Sequence, residues 1–264
     1  MAGATTIGRI LIAVLVVLTL STHVTATGQG PRAVEQDGAA EISTQQLEGI
    51  LADRSAMLLD ARPALEYAIS HIPGALNVAP KAGVPMSMYV SDVAEIGRLV
   101  DGNKAAPLVL YCNGPYCGKS KRLADELRDA GYLNVRRYQL GIPTWRAAGG
   151  ACQIELAGIR HVVANDATAV VIDARESAEF ANGALRGSRN IPRSLVLEGK
   201  DVGEVKRAKD DGRLPMEDHN TRLVVVGSDA AAARYVAQAL AREAFHNVSY
   251  FAGPFDTVRK SLSQ

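Results

Sequence analysis

The chain has 264 residues, 47% of them hydrophobic and 22% charged, with a formal net charge of +1. These values fit one or two ordinary globular domains and give no reason to expect nucleic acid or another polyanion as partner. Three cysteines are too few to build a disulfide scaffold, so the core must come from ordinary burial, and an odd count leaves at least one thiol over or a bond to another molecule.

At the N-terminus Arg9 precedes the apolar run Ile10 to Leu20, and Val24-Thr25-Ala26 follows. A basic residue, an 11-residue apolar run and a small-residue site form a signal-peptide pattern, with cutting expected after Ala26. The run is shorter than the roughly 20 apolar residues of a spanning helix. An uncleaved anchor is the alternative, and membrane contact is expected only in that case. Residues 1–26 are therefore read as signal or anchor and residues 27–39 as a polar linker. Either way the body is expected to be exported, in the style of a bacterial periplasmic protein.

An internal repeat organises the rest. Met57-Leu58-Leu59-Asp60-Ala61-Arg62 returns as Val170-Val171-Ile172-Asp173-Ala174-Arg175, and Glu66-Tyr67 returns as Glu179-Phe180. Gly74 to Val78 returns, less closely, as Gly187 to Ile191, and Leu108 to Tyr111 returns as Leu223 to Val226. A period of this length suits a small domain. Two tandem copies are expected, at 40–150 and 155–262.

In the first copy Thr44 to Ala52 reads as a helix, with Ser43 or Thr44 as its N-cap. Leu58-Leu59, Leu108 to Tyr111 and Val135 with Tyr138 read as strands. Lys119 to Ala130 reads as a helix that places Leu123, Ala124 and Leu127 on one face and stops at Gly131. Strand and helix in alternation predict an α/β fold in each copy, a mostly parallel sheet flanked by helices. Ligands of such sheets bind beyond the carboxyl ends of the strands. Cys112 lies at one such end, just before a helix N-terminus, where backbone amides favour a thiolate and can hold an anion. That position suggests sulfur or redox chemistry at a nucleophilic cysteine.

Asp60-Ala61-Arg62, Glu66, His71-Ile72-Pro73-Gly74-Ala75-Leu76-Asn77, Tyr111-Cys112 and Gly141-Ile142-Pro143-Thr144-Trp145 occur in the order and at the spacing of a rhodanese domain. With the weaker second copy, nearly the whole chain after the linker resembles a tandem rhodanese-like protein. The resemblance implies a sulfurtransferase. Cys112 would accept sulfane sulfur from a donor such as thiosulfate as a persulfide. It would pass that sulfur to a thiophilic acceptor such as cyanide, a thiol or a protein. The loop of Asn113, Gly114, Tyr116, Gly118, Lys119 and Ser120 would hold the charge, with Lys119 as cation for an anionic donor. Asp60, Arg62 and Glu66 are structural residues on this reading, and no cofactor is implied.

Two features depart from the common family pattern. The loop is about two residues longer than usual, and it carries Cys117 five positions after Cys112. Cys117 has three readings: a resolving thiol, a structural disulfide partner or a bystander. The second copy carries Gly227 in place of the cysteine and no cysteine after Cys152, so it is an inactive partner on the same resemblance.

Competing chemistries find less support. Cys112, Cys117 and His71 are the best metal set, but zinc sites use tighter spacings and four ligands, so no metal is expected. Related cysteine phosphatases place an arginine six positions after the nucleophile, where this chain has Gly118. Arg62 and Glu66, four apart, are spaced to pair along a helix. His71 reads as a turn residue, Trp145 and Cys152 as packed ones. The remaining functional alternatives are a catalytically silent scaffold with a Cys112–Cys117 disulfide and a periplasmic thiol redox protein.

Overall fold

The computed structural model describes residues 39–79 and 93–263, besides Met1 and Gly3. The segment read as an export signal or anchor lies outside the described residues. Among the described residues no helix is long and apolar enough to cross a membrane.

Each copy is an α/β unit built on five parallel strands. The first copy comprises β1 (Ala40–Glu41), α1 (Thr44–Asp53), β2 (Met57–Asp60), α2 (Ala64–Ile69), β3 (Leu76–Asn77) and α3 (Val93–Leu99). It continues through β4 (Leu108–Tyr111), α4 (Gly118–Asp129), β5 (Val135–Tyr138) and α5 (Gly141–Ala147). The second comprises β6 (Cys152–Ile154), α6 (Leu156–Asn165), β7 (Val170–Asp173), α7 (Ser177–Ala181) and β8 (Arg189–Asn190). After it come α8 (Gly203–Asp210), β9 (Leu223–Val226), α9 (Ala230–Arg242), β10 (Val248–Phe251) and α10 (Phe255–Leu262). Strand order is β1-β5-β4-β2-β3 in the first sheet and β6-β10-β9-β7-β8 in the second, so the two topologies coincide. The second sheet begins at Cys152, upstream of residue 155, because β6 pairs in parallel with β10 through Cys152 and Ser249.

Local chemistry sets the element ends. Ser43 caps α1 by a reciprocal box: its hydroxyl accepts the Gln46 N–H, and the Gln46 side chain accepts the Ser43 N–H. Gly131 follows α4 at φ +86°, a left-handed position suited to a residue without Cβ. Along β4 the side chains alternate between two cores because a strand has a period of two. Leu108 and Leu110 join Leu59, Leu123 and Leu127 on one face of the sheet. Val109 and Tyr111 join Leu47, Ile72, Tyr138 and Trp145 on the other. The central strand, buried on both faces, is thereby fixed in register at the point where Cys112 leaves it.

The two copies are packed tightly through α2 and α6. Gly158 lies so close to Ala68 O that a β-carbon there has no room. The Glu155 N–H donates to Ala68 O at 2.8 Å. His71 and Gln153 exchange two backbone hydrogen bonds, of 2.9 and 2.8 Å. Cys152 is fully buried in the core of the first copy, although its backbone belongs to the second sheet.

Candidate active site

Cys112 sits at the carboxyl end of β4 and is only 1% exposed. Six residues separate β4 from α4. Gly114, Pro115, Tyr116 and Cys117 make a tight turn in which the Cys117 N–H donates to Gly114 O at 3.0 Å. Proline suits the second position of such a turn because its φ is already set. The turn brings Cys117 back to Cys112, and the two are joined in a disulfide with Cα atoms 6.3 Å apart. Of the three readings of Cys117, a bystander without contact to Cys112 does not fit this geometry.

Cys117 is also the N-cap of α4, and its side chain makes no capping bond. The first N–H groups of a helix have no intrahelical partners, so this end is a ready place for negative charge. Lys119 is half-buried in the first turn and Ser120 is buried behind it. Gly118 and Asn113 are exposed, Gly114 is buried, and Tyr116 projects fully into solvent.

From below, the loop rests on Gly141, which has φ +66°. A β-carbon there would overlap Cys112 O and Gly114 N and would come within 2.9 Å of Gly114 Cα. The next residue, Ile142, donates its N–H to Cys112 O at 3.1 Å. Gly141 thus lets the start of α5 press directly against the cysteine loop.

Beside the loop lies a buried charge network. The Asp60 carboxylate accepts from Arg62 N at 2.9 Å, from Arg62 Nε at 3.0 Å and from Arg62 Nη2 at 2.5 Å. It also accepts from the Tyr111 hydroxyl at 2.5 Å, and that hydroxyl in turn accepts the Ile72 N–H at 3.1 Å. Arg62 Nη2 reaches Ser70 O at 2.6 Å. Burial opposes the Arg62 charge, but Asp60 outweighs it and holds the guanidinium protonated above its ordinary range. Burial first, then Asp60, pushes the Tyr111 hydroxyl well up, so it stays a neutral donor. Arg62 therefore pairs back to Asp60 rather than forward to Glu66. The backbone leaves β2 at Asp60, and Pro63, not Arg62, is the N-cap of α2. Glu66 instead accepts from Asn113 Nδ2 at 2.7 Å, joining α2 to the cysteine loop.

His71 is a buried contact at the junction of the copies. Its Nδ1 donates to Tyr67 O at 2.9 Å, and its Nε2 lies 3.5 Å from Glu155. Burial lowers its pKa, against the opposing pull of the Tyr67 carbonyl and Glu155. Its ring stacks on Tyr67.

The second copy repeats the scaffold without the site. Asp173 accepts from Arg175 N, Nε and Nη2 at 3.0, 3.0 and 2.7 Å. Asn190 and Asn77 bond the equivalent carbonyls in each copy. Three residues, not six, separate β9 from α9. A β-carbon on Gly227 would come within 2.9 Å of Ala233 N. Asp229 caps α9 by accepting the Ala232 N–H at 2.8 Å, so a carboxylate of the chain itself sits at the helix end where the first copy has Cys117.

A cavity of about 640 Å³ lined by Arg54, Met57, Trp145, Arg234 and Tyr250 opens between the copies. It touches none of the loop residues, because Met57 begins β2 whereas Cys112 follows the end of β4. The candidate site considered below is the Cys112 loop, at the opposite end of the strands.

The rhodanese-like domain model matches residues 43–148 and again 161–260, and the chain belongs to that family, with the domain in tandem. An HTH-type transcriptional regulator of Mycobacterium tuberculosis is 35% identical over 92 residues, which make up 35% of this chain and 35% of the regulator. A thiosulfate sulfurtransferase from Pseudomonas aeruginosa aligns at 20% identity and TM-score 0.37, covering 85% of this chain and 43% of that one. A 3-mercaptopyruvate sulfotransferase from Escherichia coli aligns at 18% identity and TM-score 0.35, covering 82% and 99% respectively. The chain thus spans about a third of the curated relative it matches and less than half of the Pseudomonas chain.

Proposed function

We propose that the protein is a sulfurtransferase in which Cys112 carries sulfane sulfur and Cys117 resolves it. The observation that carries the reading is the placement of Cys112. It is the cysteine of a rhodanese-like domain, at the carboxyl end of the central strand and against a helix end whose N-cap side chain makes no capping bond. In the reduced protein the Cys112 thiolate attacks the sulfane sulfur of a donor such as thiosulfate. The sulfur–sulfur bond of the donor breaks, sulfite leaves, and Cys112 keeps the outer sulfur as an anionic persulfide. The amides at the start of α4 and the Lys119 cation stabilise that anion and attract the donor.

Two exits follow. An acceptor thiolate or cyanide attacks the outer sulfur and restores the Cys112 thiolate. Alternatively, the Cys117 thiolate attacks Cys112 Sγ, hydrosulfide leaves, and the Cys112–Cys117 disulfide forms. A dithiol reductant then returns both cysteines to thiols and is itself oxidised to a disulfide. The disulfide-linked loop, with Cys112 buried, is the resting form on this scheme. The Arg9 and Ile10 to Leu20 pattern supports an exported enzyme, in an oxidising compartment where such a resting form persists.

The same disulfide favours a second reading, a silent module or thiol redox protein that takes up no sulfur. Intact mass separates the two. Reduced protein is treated with thiosulfate, then with a low-molecular-weight persulfide, alongside Cys112→Ser and Cys117→Ser. The sulfurtransferase gains one sulfur atom on Cys112, retains it longer in Cys117→Ser, and gains none in Cys112→Ser. No gain from either donor overturns the proposal in favour of the second reading.

A further inference from the structure

Glu66 and Glu179 occupy the same position in the two copies, the third residue of a short helix, yet they have different partners. Glu179 accepts the N–H of its own N-cap, Glu176, at 3.2 Å. Glu66 has no such donor, because its N-cap is Pro63, which carries no N–H. Its carboxylate reaches out of the helix instead and takes the Asn113 amide at 2.7 Å. Asn113 is bonded directly to Cys112 in the chain. The helix that carries Glu66 is itself held from its other side by the second copy, through Gly158 against Ala68 and the Glu155 N–H on Ala68 O.

We infer that Glu66 is a positioning residue for the Cys112 loop. It acts through Asn113 from a helix braced by the cysteine-free copy. Proline at the N-cap removes the competing partner, and the copy without a nucleophile supplies the abutment. The inference deepens the sulfurtransferase reading, but its direct test needs only a reactive thiol at Cys112.

A carboxylate beside a thiol has two opposed effects. Its charge disfavours the thiolate, whereas a loop held in place keeps the α4 amides on the sulfur and favours it. Lys119, Lys121 and Arg122 on α4 and the Asp60–Arg62 pair at the end of β2 are unaltered in every variant below. The test is the pH profile of Cys112 alkylation by iodoacetamide in the reduced full chain carrying Cys117→Ser. Mass spectrometry of the labelled peptides reads Cys112 separately from the buried Cys152.

Glu66→Ala is expected to move the apparent Cys112 pKa upward by roughly half to one unit. Glu66→Gln keeps an acceptor for Asn113 and is expected to restore the parental profile or fall slightly below it. Asn113→Ala should reproduce Glu66→Ala, with the double variant no worse than either. Glu179→Ala should leave the profile unchanged. Equal downward shifts in Glu66→Ala and Glu66→Gln would make Glu66 a mere charge and overturn the inference. So would no shift in either, or additive effects of Glu66→Ala and Asn113→Ala. Sulfur uptake by the parent is measured separately. Its absence together with the expected profiles would remove the sulfurtransferase reading and leave the positioning role standing.

Discussion

Gly141→Ala is the most informative single substitution, because two costs meet there and the chain contains a control for one of them. Gly131 and Gly141 both have positive φ, +86° and +66°. A β-carbon on Gly131 meets nothing within 4 Å, whereas one on Gly141 overlaps Cys112 O and Gly114 N. A left-handed backbone costs an L-residue about 1–2 kcal/mol, which sets the loss expected for Gly131→Ala. Forcing an extra carbon into a filled space costs about 1–3 kcal/mol more, so Gly141→Ala should lose about 2–5 kcal/mol. Because the obstruction is loop backbone, it is relieved only by moving the loop, and Cys112 reactivity should change with stability. Urea unfolding of both variants, with alkylation of Cys112 in the reduced proteins, measures this. Equal destabilisation of the two, or a Gly141→Ala protein with parental Cys112 reactivity, would refute the claim that Gly141 seats the loop.

Arg62→Ala leaves Asp60 buried with only the Tyr111 hydroxyl and a backbone N–H, and should lose about 3–5 kcal/mol by urea unfolding. Tyr111→Phe keeps the Asp60–Arg62 pair and loses a buried hydroxyl with two hydrogen bonds, so about 1–3 kcal/mol is expected in the same assay. His71 has a folded pKa below its unfolded value of 6.5, so the unfolded chain binds the extra proton first. Its contribution is full above pH 6.5 and falls as pH drops through that value, and His71→Gln should flatten stability against pH across that window. Gly227→Cys should not confer persulfide formation on the second copy in the mass assay. Its β-carbon meets Ala233 N, and Asp229 already occupies the helix end.

What the sequence discloses and what it hides follow from the range of each interaction. Helix α1 is announced by Ser43 and Gln46, three apart, and the end of α4 by Gly131, because caps are local chemistry. Strand β4 is announced by four apolar residues in a row, the mark of a strand covered on both sides. The two-residue strand β1 carries no such mark, since its identity rests on pairing with Arg136 and Arg137 nearly a hundred positions away. The partner of Arg62 is misjudged from spacing alone. The four-residue rule presumes a continuous helix, and Pro63 interrupts it. The same proline was the one available signal for Glu66, because it removes the N–H that a capping glutamate would take. Asn113 itself, forty-seven positions along the chain, is a tertiary partner that no local pattern discloses. The shortness of the second loop is legible because Asn134-Val135 returns as Asn247-Val248, closer to Val226 than Asn134 is to Tyr111, but the capping of its helix by Asp229 is visible only in three dimensions.

Cys152 has its backbone in the second sheet and its side chain in the core of the first copy, while Ile69 on α2 packs into the core around Ile154 and Phe255. Each half has lent the other a piece of its interior. The two units cannot be parted at their junction without opening a hole in both. The pair, not the single domain, is therefore expected to behave as the cooperative unit of unfolding.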